Sequence, residues 1–396
     1  MRRGGPGRRF LVASAVLLGA LTAASGARAQ AASPEPDEAA VLATLPFLEA
    51  VSPGAVFVDL APEDAHRRLP LQLDTGASSS MLTPDLAREL GVRVRRSKRT
   101  PYRRSTRLGR DLEFFVADRR GETGFGLLGG NFLAAYVVEV DWGARRVRLL
   151  DPARFEVPET TSAPDEAVLP ARMVGNRPVV EIGVGGATIP VLLDTGASFG
   201  VLLGAEVAER LGIRGRTAPG LRAVGVKGPI DVEFVLLEEV ALGALVFGRV
   251  PWVVAPEGWR QQATANDSLV GQDLLATCTL RVDYPRRRVW LRRREGAAPR
   301  FLGASWPSVQ RSGALLYRRG EQIFVGVVLP DGPAACRGMR PGDVLADVDA
   351  DAPGFDPEEA HARLAGDAPL RVRRAVGGGR SRTLVLEPPA TSTDRP

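Results

Sequence analysis

The chain has little of the material on which most hydrolytic and redox sites are built. It holds two histidines, His66 and His361, and two cysteines, Cys278 and Cys336. A histidine-based triad or a zinc site therefore has almost nothing to work with. Two cysteines in separate parts of the sequence also exclude a disulfide framework. Lysine is nearly missing, with only Lys98 and Lys227 against 50 arginines, a bias to which no function attaches. Nor is there an apolar run of the ~20 residues that a spanning helix requires.

The nearest thing to such a run, Phe10 to about Ala24, follows a basic start and leads to Ala27-Arg28-Ala29. Residues 1–29 read as a secretory signal with a small-residue cleavage site, and the expected location is periplasmic or secreted. An uncleaved anchor is the competing reading; after cleavage no stable membrane attachment is expected. The signal holds five arginines and no acid, so its removal takes the formal charge from +6 to +1. A nearly neutral mature chain excludes the nucleic-acid partner that the formal charge suggests.

What is present is glycine and proline, 44 and 31 of them, punctuating short Val- and Leu-rich runs, a pattern of mainly β structure. One stretch occurs twice: Leu73-Asp74-Thr75-Gly76-Ala77-Ser78 returns 120 positions later as Leu193-Asp194-Thr195-Gly196-Ala197-Ser198. Each copy ends an apolar strand, Pro70-Leu-Gln-Leu and Pro190-Val-Leu-Leu. The repeat extends further. Leu90-Gly91 matches Leu211-Gly212, Leu128-Gly129 matches Val270-Gly271, and Val140-Asp141-Trp142 matches Val282-Asp283-Tyr284, which is the sign of a duplication.

The expected layout follows from these breaks. A disordered Pro-, Ala- and acid-rich leader covers 30–44, a first domain 45–151, a Pro/Glu/Thr linker 152–168, and a second domain 169–293. A further α+β unit covers 297–388, with a polar tail at 389–396. The second half holds about 21 extra residues between Leu221 and Pro256, enough for a hairpin cover with its tip at Ala223–Gly228. At the corresponding place the first half has a basic run, 93–110, with nine Arg or Lys and no acid. His361 is expected on a helix from Pro357 to Leu364, at its surface or against a ligand.

An apolar strand running into Asp-Thr-Gly-Ala-Ser, followed by an apolar-apolar-Gly motif (Leu127-Leu128-Gly129; Leu269-Val270-Gly271), twice in one chain, resembles the retropepsin-like and pepsin-like aspartic proteases. The resemblance covers roughly 45–293. It implies two β-barrel domains forming a pseudo-dimer within one chain, with Asp74 and Asp194 as the catalytic pair. Two carboxylates about 3 Å apart cannot both ionise and so share one proton, the aspartic-protease pair being the standard example. Thr75 and Thr195 would hydrogen-bond across the interface, and Gly76 and Gly196 would let backbone approach the carboxylates. Leu128-Gly129 and Val270-Gly271 would pass beneath the turns. The implied activity is endopeptidase hydrolysis of peptides or unfolded protein, with no cofactor or metal.

After Gly332-Pro-Ala-Ala, the run Gly338-Met-Arg-Pro-Gly-Asp-Val-Leu resembles a PDZ domain of the bacterial protease type. This implies binding of a C-terminal peptide as an added strand, with Phe301-Leu302-Gly303-Ala304 as the carboxylate loop. Two alternatives stand beside the protease: an inactive scaffold that binds peptides through this C-terminal unit, and a protease that cuts only its own 151–168 linker.

Overall fold

Both halves of the chain contribute to one six-stranded sheet in the computed structural model. The structure describes residues 35–48, 55–61, 68–91, 102–105, 108, 111–116, 126–197, 199–225, 228–259, 268–301, 304–319, 322–329, 332–346, 357–377 and 380–388. The signal 1–29, His66, most of the basic run 93–110, Leu302, Gly303 and the tail 389–396 lie outside the described residues.

The order of the shared sheet is Val41–Pro46, Arg146–Leu150, Val137–Asp141, then Cys278–Asp283, Arg288–Arg293, Glu166–Pro170. The first three strands come from the first half, and the last three come from the second in mirrored order. At the seam Val138 pairs with Val282 and Val140 with Leu280, antiparallel. Alternate apolar residues of these strands, Val138, Val140, Leu280 and Val282 among them, are buried in one core that runs through both halves.

The other face of the shared sheet carries charge. Arg281, 1% exposed, donates from Nε to Glu139 at 2.7 Å, and its guanidinium stacks 4.1 Å over the Trp290 ring. Arg148 takes the second Glu139 oxygen at 2.6 Å. Glu35 adds ion pairs to Arg281 and Arg292. These contacts correct the expectation of a disordered leader for its described part, 35–44. From Glu35 onward the chain is held by arginines, turns once at Glu38–Ala40, and enters the sheet as Val41–Pro46. Composition misled here because the partners lie more than a hundred positions away.

The 152–168 linker is likewise more than a tether. Phe155 and Val157 are buried, Val157 N donates to Asp283, and residues 166–168 already belong to the shared sheet. Only the ends of the segment are packed, and residues 158–165 between them are half-buried or exposed.

Each half adds its own sheet. In the first the order is Phe57–Asp59, Pro70–Leu73, Gly126–Leu128, Ser80–Leu82, Asp111–Val116, Tyr102–Ser105. The second repeats it with Pro178–Val184, Ala187–Leu193, Leu269–Val270, Val201–Leu203, Leu245–Val254 and Gly228–Leu242, then adds Arg216–Gly225 as a long hairpin beyond. The Gly185-Gly186 turn has φ of 56° and 81°, the left-handed pair that a two-residue hairpin needs. Short helices follow each Asp turn: Pro84–Glu89, with Thr83 at its N-cap, and Ala205–Arg210, ended by Gly212 at φ 65°.

Beyond Arg293 a five-stranded sheet, Ala314–Arg319 to Arg380–Leu386, packs with helices Trp306–Ser312 and Pro357–Ala365. This C-terminal module docks on the second half. Phe301, Ala304, Trp306 and Val309 share a buried cluster with Val179, Leu192, Leu202, Phe234 and Val253, and Phe301 meets Phe234 edge to face at 5.6 Å. The second half's sheet is thus covered on both faces, which explains the unbroken apolar run Val191-Leu192-Leu193.

His361 is not a surface residue. It is 2% exposed, and its Nδ1 meets Ser312 Oγ at 2.8 Å, between the two helices of the module. Burial pushes its pKa down to about 4, against a partial opposing pull from Glu358.

Two outcomes follow. Glu139→Ala leaves the buried Arg281 charge short of its main partner and costs about 3 kcal/mol in urea unfolding. The paired replacement Glu139→Leu with Arg281→Met costs less than the single change; a larger cost would contradict this reading. For His361, the unfolded state takes up the proton first as pH falls. The module therefore has its full stability above about pH 6.5 and loses it progressively towards pH 4. His361→Gln flattens that slope in pH-dependent melting.

Candidate active site

Each Asp turn is built by the strand that precedes it and by the apolar-Gly segment that runs beside that strand. Leu73 pairs in parallel with Leu128, and Asp74 N donates to Leu128 O at 3.0 Å. In the second half Leu193 pairs with Val270, and Asp194 N donates to Val270 O at 2.9 Å. Glycine is required next in both motifs. A Cβ on Gly129 would lie 2.6 Å from Ser79 O, and one on Gly271 would lie 2.8 Å from Ala197 O. The following residues close the arch, Gly130 N to Ala77 O at 2.8 Å and Gln272 N to Ala197 O at 2.9 Å. An apolar pair ending in glycine is what lets the chain pass under each turn.

The two turns are locked to each other by an exchange of threonine bonds. Thr75 Oγ1 donates to Leu193 O at 2.6 Å and accepts from Thr195 N at 3.0 Å. Thr195 Oγ1 donates to Leu73 O at 2.8 Å and accepts from Thr75 N at 3.1 Å. Both threonines are 0% exposed. A hydroxyl that both donates and accepts satisfies two buried backbone groups at once, a task for which Val has the shape but not the chemistry.

This lock brings each carboxylate onto the opposite turn. A Cβ on Gly76 would sit 2.5 Å from both oxygens of Asp194, and one on Gly196 would sit 2.5 Å from Cγ of Asp74. Asp74 and Asp194 therefore converge on one place, each against the other's glycine. Asp194, 8% exposed, also accepts at Oδ1 from Gly196 N at 2.9 Å and Ala197 N at 3.1 Å, donors suited to a charged oxygen.

Sequence reading did not single out the amides that brace the turns. Gln72 Nε2 donates to Gly196 O at 3.1 Å, and Gln272 Nε2 donates to Thr195 O. The signal was available. Gln72 is a buried polar residue in the middle of an apolar strand, where its counterpart is Leu192. Asn131 braces the first turn by accepting from Ser80 N at 2.7 Å and Ser80 Oγ at 2.8 Å. Tyr284, buried below, has its phenol pushed up by burial and by the Asp74 charge, so it stays neutral. Tyr102 lies on a strand of the first half's sheet, at Tyr102–Ser105.

The segment expected to hold a peptide carboxylate is described at Phe301 and Ala304. Phe301 and Ala304 pair with each other and are buried against the second half. The neighbouring Ser305 N–H is taken by Glu358 at 2.6 Å. Among the described residues no group of three or more His, Cys, Asp or Glu is placed to hold a metal ion.

Residues 180–274 match a family profile described as aspartyl protease, and the match takes in the Asp194 turn and Val270-Gly271. Among solved structures the chain is similar to a retropepsin-like aspartic protease from Rickettsia conorii, with 22% identity over 32% of this chain and 89% of that one, TM-score 0.24. It is also similar to EIAV protease complexed with the inhibitor HBY-793, with 24% identity over 25% of this chain and 85% of that one, TM-score 0.20. No curated protein matches.

Thr195→Val removes one donor and one acceptor from a dry site and costs about 2–4 kcal/mol in denaturant unfolding. Thr195→Ser keeps both and costs roughly 1 kcal/mol or less beyond the lost methyl. Thr75→Val matches Thr195→Val, because the exchange is reciprocal; a much smaller loss at either position would show that the lock is not shared.

Proposed function

We propose that this chain is an exported aspartic endopeptidase in which Asp74 and Asp194 share one proton and activate a water against a peptide bond. The observation that carries the proposal is the crossed placement of each carboxylate on the opposite turn's glycine. The threonine exchange that sets this placement and the aspartyl protease match over 180–274 support it.

The chemistry follows from the pair. The ionised carboxylate takes a proton from a water held between the two, and the water oxygen adds to the peptide carbonyl carbon. Meanwhile the protonated carboxyl hydrogen-bonds the carbonyl oxygen and stabilises the charge that develops there. A proton then passes to the leaving nitrogen as the C–N bond breaks, and the pair is left with one proton as at the start. No covalent intermediate forms and no cofactor is called for. The two carboxylates titrate as a unit, so the active form is the singly protonated pair and the rate has a bell-shaped pH dependence.

In the same proposal residues 1–29 direct export, and the two halves work as a pseudo-dimer within a monomer. The long hairpin Arg216–Gly225 with Gly228–Leu242 covers the cleft from the second half. The C-terminal module, 297–388, recognises peptide ends and presents or admits substrate. Because Glu358 already accepts from Ser305 N, a peptide adding as a strand at Ala304–Ser305 has to displace that carboxylate.

The test is hydrolysis of an unfolded protein by the mature chain between pH 3 and 7, with and without a pepstatin-type inhibitor. Asp74→Ala and Asp194→Ala each lower kcat/KM by roughly 10⁴-fold or more while the unfolding midpoint stays near wild type. Either variant keeping a tenth of the activity would rule out a shared pair.

A further inference from the structure

Among the described residues, Arg177 is the cation that the fold carries to the carboxylate pair, and it comes from the second half. It sits at the end of the turn between Arg172–Met173 and Pro178–Val184. The turn is closed by Val174 N to Arg177 O at 3.0 Å and Arg177 N to Val174 O at 3.2 Å. Gly175 and Asn176 take φ of 56° and 63°, so the tip is sharp. Arg177 Nε donates to Val174 O at 3.0 Å, which fixes the root of the guanidinium.

Although this turn belongs to the second half, its tip is wedged against the first. A Cβ on Gly130 would meet Asn176 O at 2.5 Å, and one on Gly175 would lie 3.6 Å from the Ser78 side chain. Gly130 follows the segment that passes under Asp74, and Ser78 lies in the Asp74 turn itself. Arg177 is thereby tied to the frame that holds Asp74, while its own strand runs alongside the one that delivers Asp194, with Val179 opposite Leu192. Burial works against the Arg177 charge, and the charges of Asp194 and Asp74, in that order, support it.

Among its described residues the first half has no equivalent. There Phe57 stands opposite Gln72, as Val179 stands opposite Leu192, so the position matching Arg177 is Ala55. The other titratable groups on the described elements packed around the pair are Tyr284, neutral in its buried place, and Asp273, buried in the helix Gln272–Leu275. None of them is a cation.

We propose that Arg177 is a positioning residue for the carboxylate pair: a guanidinium, one-sided among the described residues, that holds the shared negative charge and moves the singly protonated form to lower pH. This rests on the protease reading above. The physics is that a cation near two carboxylates makes each proton easier to lose, so both limbs of the pH–rate profile lie lower than they would without it. A guanidinium suits the task because it stays charged when half-buried, whereas an ammonium is more easily neutralised there.

The experiment measures kcat/KM against pH for wild type, Arg177→Gln and Arg177→Lys. In Arg177→Gln both limbs move up by about one pH unit, and Arg177→Lys returns them most of the way. A change in KM with unmoved limbs would overturn the proposal and make Arg177 a substrate contact. A second measurement needs no activity: melting temperature against pH for wild type and Arg177→Gln, each with and without Asp194→Asn. The attraction of Arg177 for the ionised pair is present above the carboxyl titration and lost as pH falls through it. The melting gap therefore widens from about pH 3 to 6 when both Asp residues are present and is smaller and flatter with Asp194→Asn. An equal gap in both backgrounds would sink the inference. A wild type that hydrolyses nothing, yet shows the widening gap, would fault the protease reading and leave the role of Arg177 standing.

Discussion

The exchange of hydroxyl and backbone bonds between Thr75 and Thr195 is the constraint on which the rest of the structure depends. Two loops that each carry an acid bring no large apolar surface together on their own. What joins them is a reciprocal set of four short bonds in a place that water does not reach. Once the threonines are fixed, the adjacent glycines must lie against the opposite carboxylates, and those carboxylates have only each other's neighbourhood to occupy. The shared six-stranded sheet does the same job on a larger scale, holding the halves by strand pairing and by the Arg281–Glu139–Arg148 network. These two sets of backbone and side-chain bonds are what bring the two acid-bearing turns together.

The halves are copies in topology but not in surroundings. One face of the second half's sheet is covered by the C-terminal module, and its strand before the Asp turn is apolar from Ile189 to Leu193. The first half's strand keeps Gln72 at the matching place, where the amide reaches across to Gly196. The second half also extends a long hairpin and brings Arg177. The surroundings of the two Asp turns are thus asymmetric in charge and in what lies behind them, and under the proposed function a peptide would meet two different walls. In such a site the two carboxylates begin from unequal positions even before substrate arrives.

Much of this was legible in the sequence because the informative features are local. A repeated Asp-Thr-Gly after an apolar strand, an apolar pair ending in glycine, and the alternation of Val and Leu each reflect a backbone requirement that acts over a few residues. The misses share a cause as well. The leader looked disordered because Glu35 finds its arginines in Arg148, Arg281 and Arg292, far along the chain. The Pro/Glu/Thr linker looked like a tether, yet Phe155 lies 5.3 Å below the Arg281 guanidinium. Arg177 was invisible among so many arginines until the turn of one half was seen wedged into the other. His361 was expected at a surface or against a ligand, but the helix it faces is Trp306–Ser312, which only the fold brings there.

The claim at the centre is that Asp74 and Asp194 act together on one atom. A crystal structure of the mature protein with a pepstatin-type inhibitor, whose hydroxyl stands in for the attacking water, tests it directly. The account predicts that hydroxyl within about 3 Å of an oxygen from each carboxylate, beneath the long hairpin of the second half. An inhibitor bound elsewhere, or one whose hydroxyl contacts only one of the two carboxylates, would contradict it.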